Sequence, residues 1–189
     1  MMNQENRLLL LKLARHVLEN KLLSKEHDIK KYEIPEFGEN RGLFVTLMKN
    51  GNLRGCIGRI DPTNTIYQHV IQLSKSAAFE DHRFQPVQVK ELSQIIIEIS
   101  LLSVPQVIEG KDNAEKVSQI RPYVDGVILQ SGSHRSTFLP QVWDSLSDRD
   151  KFMGELCRKA GLAYDYWQQE TIELSCYQVE HFQEENQLT

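Results

Sequence analysis

The sequence predicts an α+β fold, mainly antiparallel hairpins flanked by helices, in a larger part and a smaller subdomain with a cleft between them. Three observations carry this. An Asn50-Gly51 pair sits between two apolar runs, the strongest short-range signal for a tight hairpin. A second pair of strand-like runs flanks Ser131-Gly132-Ser133. Between and before them, apolar residues recur at helical spacing.

Composition sets the class. A chain of 189 residues is one ordinary domain, or a core with a subdomain, and buries roughly 70% of its unfolded surface. With 40% hydrophobic and 25% charged residues it reads as soluble and globular. The N-terminal leucine run is broken by Lys12, Arg15 and His16, far short of about 18 apolar residues, so neither a membrane span nor a signal peptide is expected and the protein is placed in the cytoplasm. Cys56, Cys157 and Cys176 form no CxxC pair, which argues for reduced thiols and against a structural zinc site or a disulfide framework. A net charge of −4 with scattered basic residues argues against nucleic acid as a partner, except through a local patch.

Taken in order, residues 5–23 place Leu10, Leu13, Ala14, Val17 and Leu18 on one helical stripe and leave Lys12, Arg15 and Glu19 to solvent. Residues 24–42, with Pro35, Gly38 and Gly42, read as a long connecting loop. After the first hairpin, Asp61-Pro62 is expected to start a helix with Ile66, Val70, Leu73 and Ala77 inside, and His69 and Lys75 outside. Residues 94–104, rich in isoleucine, read as a central strand ended by Pro105. Asp112 and Glu115 suggest a cap for a short helix stopped by Pro122. Residues 123–130 and 134–139 form the second hairpin, and Pro140 opens a short helix. Residues 147–150 begin another, with Phe152, Met153, Leu156, Cys157 and Ala160 inward and Gly161 as its C-terminal cap. A last strand is expected over 171–182, with a solvated, flexible tail over 183–189. No repeat or linker marks a boundary, so one domain over 1–189 is expected, two intertwined subdomains being the alternative.

The chemistry concentrates in the first hairpin. A two-residue loop at Asn50 and Gly51 sets Met48 opposite Leu53, Leu47 opposite Arg54, Thr46 opposite Gly55 and Val45 opposite Cys56. Arg54, Cys56 and Gly58 then share one face. Glycines inside a strand cost stability, so Gly55 and Gly58 imply a bulge or a close approach by a backbone or ligand. Arg54 would favour the Cys56 thiolate, making Cys56 a candidate nucleophile. The alternative is that Cys56 is a small core residue and Arg54 a structural ion-pair partner.

Downstream, Asp81, His82 and Arg83 put an acid, an imidazole and a guanidinium together; an Asp and Arg so placed otherwise read as a loop ion pair. His134 is the one histidine considered for acid-base work, against a solvated position at a hairpin edge. Thr137 and Gln141 flank a strand-to-helix junction whose free N–H groups suit an anion. GxGxxG, P-loop, GxSxG and HExxH patterns are absent, and the histidines show no metal-ligand spacing, so no metal or cofactor is expected.

The string LRGCIG, preceded by FVTL and the NG turn, resembles the signature of the AMMECR domain family, whose prokaryotic members are called protein A of the AmmeMemoRadiSam system. Residues 77–87 (AAFEDHRFQPV), 137–143 (TFLPQVW) and 158–162 (RKAGL) match in the family's order. The family text around Asp81 usually reads Asp-Pro-Arg-Phe followed by prolines. Here His82 and Gln85 depart from it, while Asp81, Arg83, Phe84 and Pro86 keep it. The resemblance raises Asp81, Arg83 and Phe84 to pocket candidates, and it implies a larger and a smaller part.

As function, the resemblance implies an uncharacterised activity in a system with a radical S-adenosylmethionine protein and a Memo-type protein similar to non-haem dioxygenases, this chain being the metal-free component. A small anionic molecule is the expected ligand, held by Arg54, Gly55, Gly58, Arg83, Phe84, Thr137 and Gln141, with Cys56, Asp81 and His134 as catalytic candidates. A non-catalytic scaffold or protein-binding module is the second reading and a nucleic-acid-associated regulator the third. Oligomeric state is not legible.

Overall fold

The computed structural model describes residues 2–185. Two compact units emerge, one over Met1–Leu102 with Glu180–Thr189, the other over Ser103–Val179. Unit 2 is thus an insertion in the sequence of unit 1.

Unit 1 begins with α1 (Gln4–Leu23), capped by the Asn3 side chain on the Asn6 N–H. Its expected stripe is buried, with Leu11 added. Arg15, assigned to solvent by its spacing, instead reaches across to the Leu92 and Ile95 carbonyls and pairs with Glu184. The segment after α1 is pinned by 3-10 turns at Lys30–Tyr32 and Pro35–Phe37, whose Tyr32 and Phe37 are buried. Next come β1 (Leu43–Lys49) and β2 (Asn52–Arg59), joined by Asn50 and Gly51 with φ of 52° and 77°.

Helix α2 (Ile66–Phe79) starts later than Asp61-Pro62 suggests. Thr65 is its cap, bonded reciprocally with Gln68, and this two-way capping box outweighs the Pro rule. His69 is buried rather than outward, its Nδ1 at 2.8 Å from the Arg41 carbonyl, because it flanks the Ile66–Val70–Leu73 stripe on an apolar face broader than a single row. A 3-10 turn at Val89–Gln94 leads into β3 (Ile95–Leu102).

The four-stranded sheet of unit 1 has the order β2-β1-β3 followed by β8 (Val179–Gln183). Leu43, Val45, Leu47, Ile97 and Ile99 pack with the buried residues of α1 and α2 in one core. Gln183 therefore belongs to a strand, and Glu184 is held both by Arg15 and by the Ile97 N–H. The tail expected from residue 183 overlaps this anchored stretch, and its end, 186–189, lies outside the described residues.

Unit 2 holds the second sheet, ordered β4 (Gln106–Val107), β7 (Glu173–Tyr177), β5 (Gly126–Ser131), β6 (His134–Phe138). It also carries α3 (Asn113–Gln119), α4 (Arg149–Lys159) and α5 (Tyr166–Gln169). Its core centres on Trp143, stacked on Phe152 at 3.7 Å, with Val127, Leu129, Leu156 and Leu174. The residues after Pro140 form a 3-10 turn, Pro140–Asp144. The single strand expected over 171–182 is two strands: β7 pairs in unit 2 and β8 in unit 1, divided at Gln178.

Candidate functional site

The Cys56 strand differs from its expected register by one residue. Met48 faces Leu53, but Leu47 faces Gly55, Thr46 faces Cys56 and Val45 faces Ile57, so Arg54 is the extra residue of a β-bulge. The bulge re-aims Arg54. Its guanidinium makes a bidentate pair with Glu91 at 3.1 and 3.0 Å, and Glu91 also accepts from Lys49 Nζ and the Gln88 N–H. Glu91 is buried, and these donors, Arg54 first, hold its carboxyl well below the usual carboxylate range. With its side chain 14% exposed and its fork occupied, Arg54 serves the bulge rather than a ligand or the thiol.

Both glycines have physical causes. A Cβ on Gly55 would stand 2.2 Å from the Ala77 carbonyl oxygen, so the strand crosses directly beneath the end of α2. On Gly58 it would stand 2.1 Å from the Phe44 ring, which lies over that position. What the glycines admit is a helix backbone and an aromatic ring.

Just beyond Ala77, α2 ends and the chain returns to the strand it has crossed. β2 is the edge strand, and at Cys56 both backbone groups point away from β1. The Cys56 N–H donates to Asp81 Oδ2 at 2.8 Å, and Arg83 Nη2 donates to the Cys56 carbonyl at 3.1 Å. Arg83 also grips Asp81 with Nε at 2.9 Å and Nη2 at 2.8 Å. One carboxylate and one guanidinium thereby stand in for a neighbouring strand, satisfying an edge that would otherwise be unpaired. Asp81 is 6% exposed. The Arg83 side-chain bond, then the Cys56 and Arg83 N–H groups, overcome burial and drive its carboxyl far below its ordinary value. At neutral pH it is an anion and an acceptor, which closes to it the part of proton donor.

The Cys56 thiol lies on the sheet face opposite Gly55, half-buried, with the Thr46 hydroxyl donating to Sγ at 3.2 Å. Arg83 stacks on Phe84, its carbon Cζ 5.5 Å from the ring centre, and its side chain is 56% exposed. His82 is exposed. Cys56, Asp81, Arg83 and Phe84 are thus brought together in unit 1, with Thr46 and Glu91 as members the sequence did not announce.

The remaining candidates belong to unit 2. His134 opens β6 exposed, its Nδ1 2.9 Å from the Ala160 carbonyl at the end of α4, where it caps the helix. The Thr137 hydroxyl lies 3.1 Å from the Tyr177 hydroxyl, and its carbonyl accepts from Lys159. Gln141 is exposed on the 3-10 turn.

Another cluster was not anticipated. His16 and Glu19 on α1 and His27 after it bring one ligand-type atom each to within 4.8 Å of one another. The one local sign was an imidazole and a carboxylate three residues apart on a helix. Burial, then the neighbouring His27 and Lys31, push the His16 imidazole below its ordinary value.

Fold and site define an α+β protein in two units whose first carries a thiol on a clamped edge strand. The chain belongs to the AMMECR1 family, whose model matches residues 11–182. A protein of Methanothermobacter thermautotrophicus is 37% identical over 182 residues, covering 93% of each chain, and protein MJ0810 of Methanocaldococcus jannaschii is 36% identical over 90% of this chain and 86% of its own. The crystal structure of uncharacterized protein PH0010 from Pyrococcus horikoshii is similar at a TM-score of 0.80 and 34% identity, covering 97% of this chain and 94% of that one. Among the described residues, no helix is long and apolar enough to cross a membrane.

Proposed function

We propose that the sheet face around Cys56 binds a small anionic molecule, with Arg83 as its cation and the thiol as the group that contacts or attacks it. The chain would do so in the cytoplasm as one component of an enzyme system that includes a radical S-adenosylmethionine protein and a Memo-type protein. The observation that carries this reading is the half-exposed Arg83 guanidinium fixed over the Cys56 backbone: Asp81 neutralises part of its charge and sets its direction, and the exposed edge remains for a ligand. The family resemblance supplies the partners.

A second reading, a non-catalytic protein-binding module, is favoured by the same clamp, since closing a strand edge explains Asp81 and Arg83 without any ligand. Alkylation of the full chain with iodoacetamide, followed by peptide mapping, separates the two. On the first reading Cys56 reacts well ahead of buried Cys157, phosphate or a short carboxylate slows it several-fold, and Arg83→Gln abolishes that protection. A rate indifferent to every anion, together with unaltered product from the three-protein system carrying Cys56→Ser, leaves the scaffold.

A further inference from the structure

We infer that His16, Glu19 and His27 form a binding site for one divalent transition-metal ion of the zinc class, on the first helix and sharing no residue with the Cys56 face. His16 and Glu19 are three apart on α1 and so project from one side of it. The helix ends at Ser24, which takes a left-handed φ of 52° and turns the chain back. Asn20 then fixes the returning backbone with both ends of its amide: Nδ2 donates to the His27 carbonyl at 2.9 Å, and Oδ1 accepts from the His27 N–H at 2.8 Å. His27 is thereby delivered to the helix face, its Nε2 2.5 Å from Glu19 Oε2 and its ring stacked on His16 at 4.0 Å and 8°. The buried Tyr32 holds the other side of the cluster, its hydroxyl 3.0 Å from His16 Nδ1.

Two imidazoles and a carboxylate are the ligand set of an open zinc-type site, and nitrogen donors select zinc, cobalt or nickel over magnesium or calcium. Metal–ligand bonds of about 2.0–2.1 Å place tetrahedral ligand atoms roughly 3.3 Å apart. The His27–Glu19 pair, at 2.5 Å, must therefore open and release its shared proton, the longer spacings, up to 4.8 Å, must contract, and the stacked rings must splay so that both lone pairs meet at one point. His27, beyond the end of α1 and partly exposed, is the ring with room to tilt once its bond to Glu19 is broken. The Lys25 ammonium, now 3.4 Å from Glu19, must withdraw from that carboxylate, and the positive charges of Lys25 and Lys31 near His16 keep the affinity moderate. An ion here revises the family-based expectation of a metal-free component.

The test is titration of the full chain with Co2+, read by its visible absorption bands, and with Zn2+ by calorimetry. One ion per chain is expected, with Zn2+ displacing Co2+. His27→Gln and Glu19→Gln each weaken binding at least about 10-fold, and Tyr32→Phe, which removes a group orienting a ligand, weakens it too. His181→Gln, an exposed histidine outside the cluster, leaves it unchanged. Circular dichroism of each variant verifies its fold. Absence of a saturable Co2+ signal overturns the inference, as does binding that survives both His27→Gln and Glu19→Gln or that shows the sulfur-to-cobalt band of a thiolate site.

Discussion

At the scale of the residue, Asp81 joins two halves of the site with one side chain, holding Arg83 with both oxygens and the Cys56 N–H with one of them. Its folded-state pKa lies below that of the unfolded chain. The ionised pair therefore contributes stability above the unfolded value, about 3.9, and the contribution is lost as pH falls through the folded value. Asp81→Asn keeps the shape and removes the charge. It should cost about 2–3 kcal/mol at pH 7, the range for a hydrogen-bonded buried charge, and the difference from the natural protein should shrink steadily below about pH 4. Urea midpoints across pH 3–7 measure it, and a difference that stays constant over that range would mean the pair does not titrate with folding. The same ionisation explains why an acid and a guanidinium two residues apart, an ambiguous sequence feature, form a structural clamp here: the strand that supplies the partner N–H and carbonyl lies far away in sequence.

At the scale of the element, the first hairpin and α2 constrain each other at Gly55. Alanine there drives a methyl into a helix backbone that cannot step aside, so Gly55→Ala should destabilise by about 2–3 kcal/mol, at the upper end of overpacking. Gly58→Ala meets Phe44 at Cγ as well as Cδ1, so relief takes a swing of the whole side chain to another rotamer; a side chain can make that move where the Ala77 backbone cannot, so the cost should be smaller, and thermal midpoints of the two variants reveal the order. What was legible in these elements was local. The Asn50-Gly51 turn, the stripe of α1 and the isoleucines of β3 each follow from near-neighbour rules. A bulge was one of the two readings of Gly55 and Gly58, but its place at Arg54 was not legible, because the Glu91 carboxylate that Arg54 meets there is a tertiary partner. The start of α2 was misread since Asp61-Pro62 and Thr65–Gln68 are both valid start signals, and only the hydrogen bonds decide between them. Nor does anything punctuate the chain at Gln178: neither glycine nor proline marks where β7 ends and β8 joins another sheet. Of the candidate site, Cys56 and its glycines were reached from the Asn50-Gly51 turn and strand alternation, Asp81 and Arg83 became candidates through the resemblance, and Thr46, a hydroxyl in the middle of a strand, carried no signal of its own.

At the scale of the molecule, the two cores are distinct sets of side chains, and the probes divide with them. Both tryptophans, Trp143 and Trp167, are buried in the second core, whereas α1 and α2 belong to the first. Tryptophan fluorescence therefore follows unit 2, and far-ultraviolet circular dichroism follows both. Arg15 anchors β3 and the segment after β8 to α1 by bonds to two carbonyls and Glu184, all within unit 1. Arg15→Ala breaks charge-assisted bonds worth about 2 kcal/mol together. If each unit is its own cooperative block, this substitution moves only part of the dichroism transition to lower denaturant, while the fluorescence midpoint stays where it is in the unaltered protein. A parallel shift of both signals would mean instead that the chain crossings near Leu102 and Val179 bind the units into one transition, and a ligand held by either unit would then stabilise both.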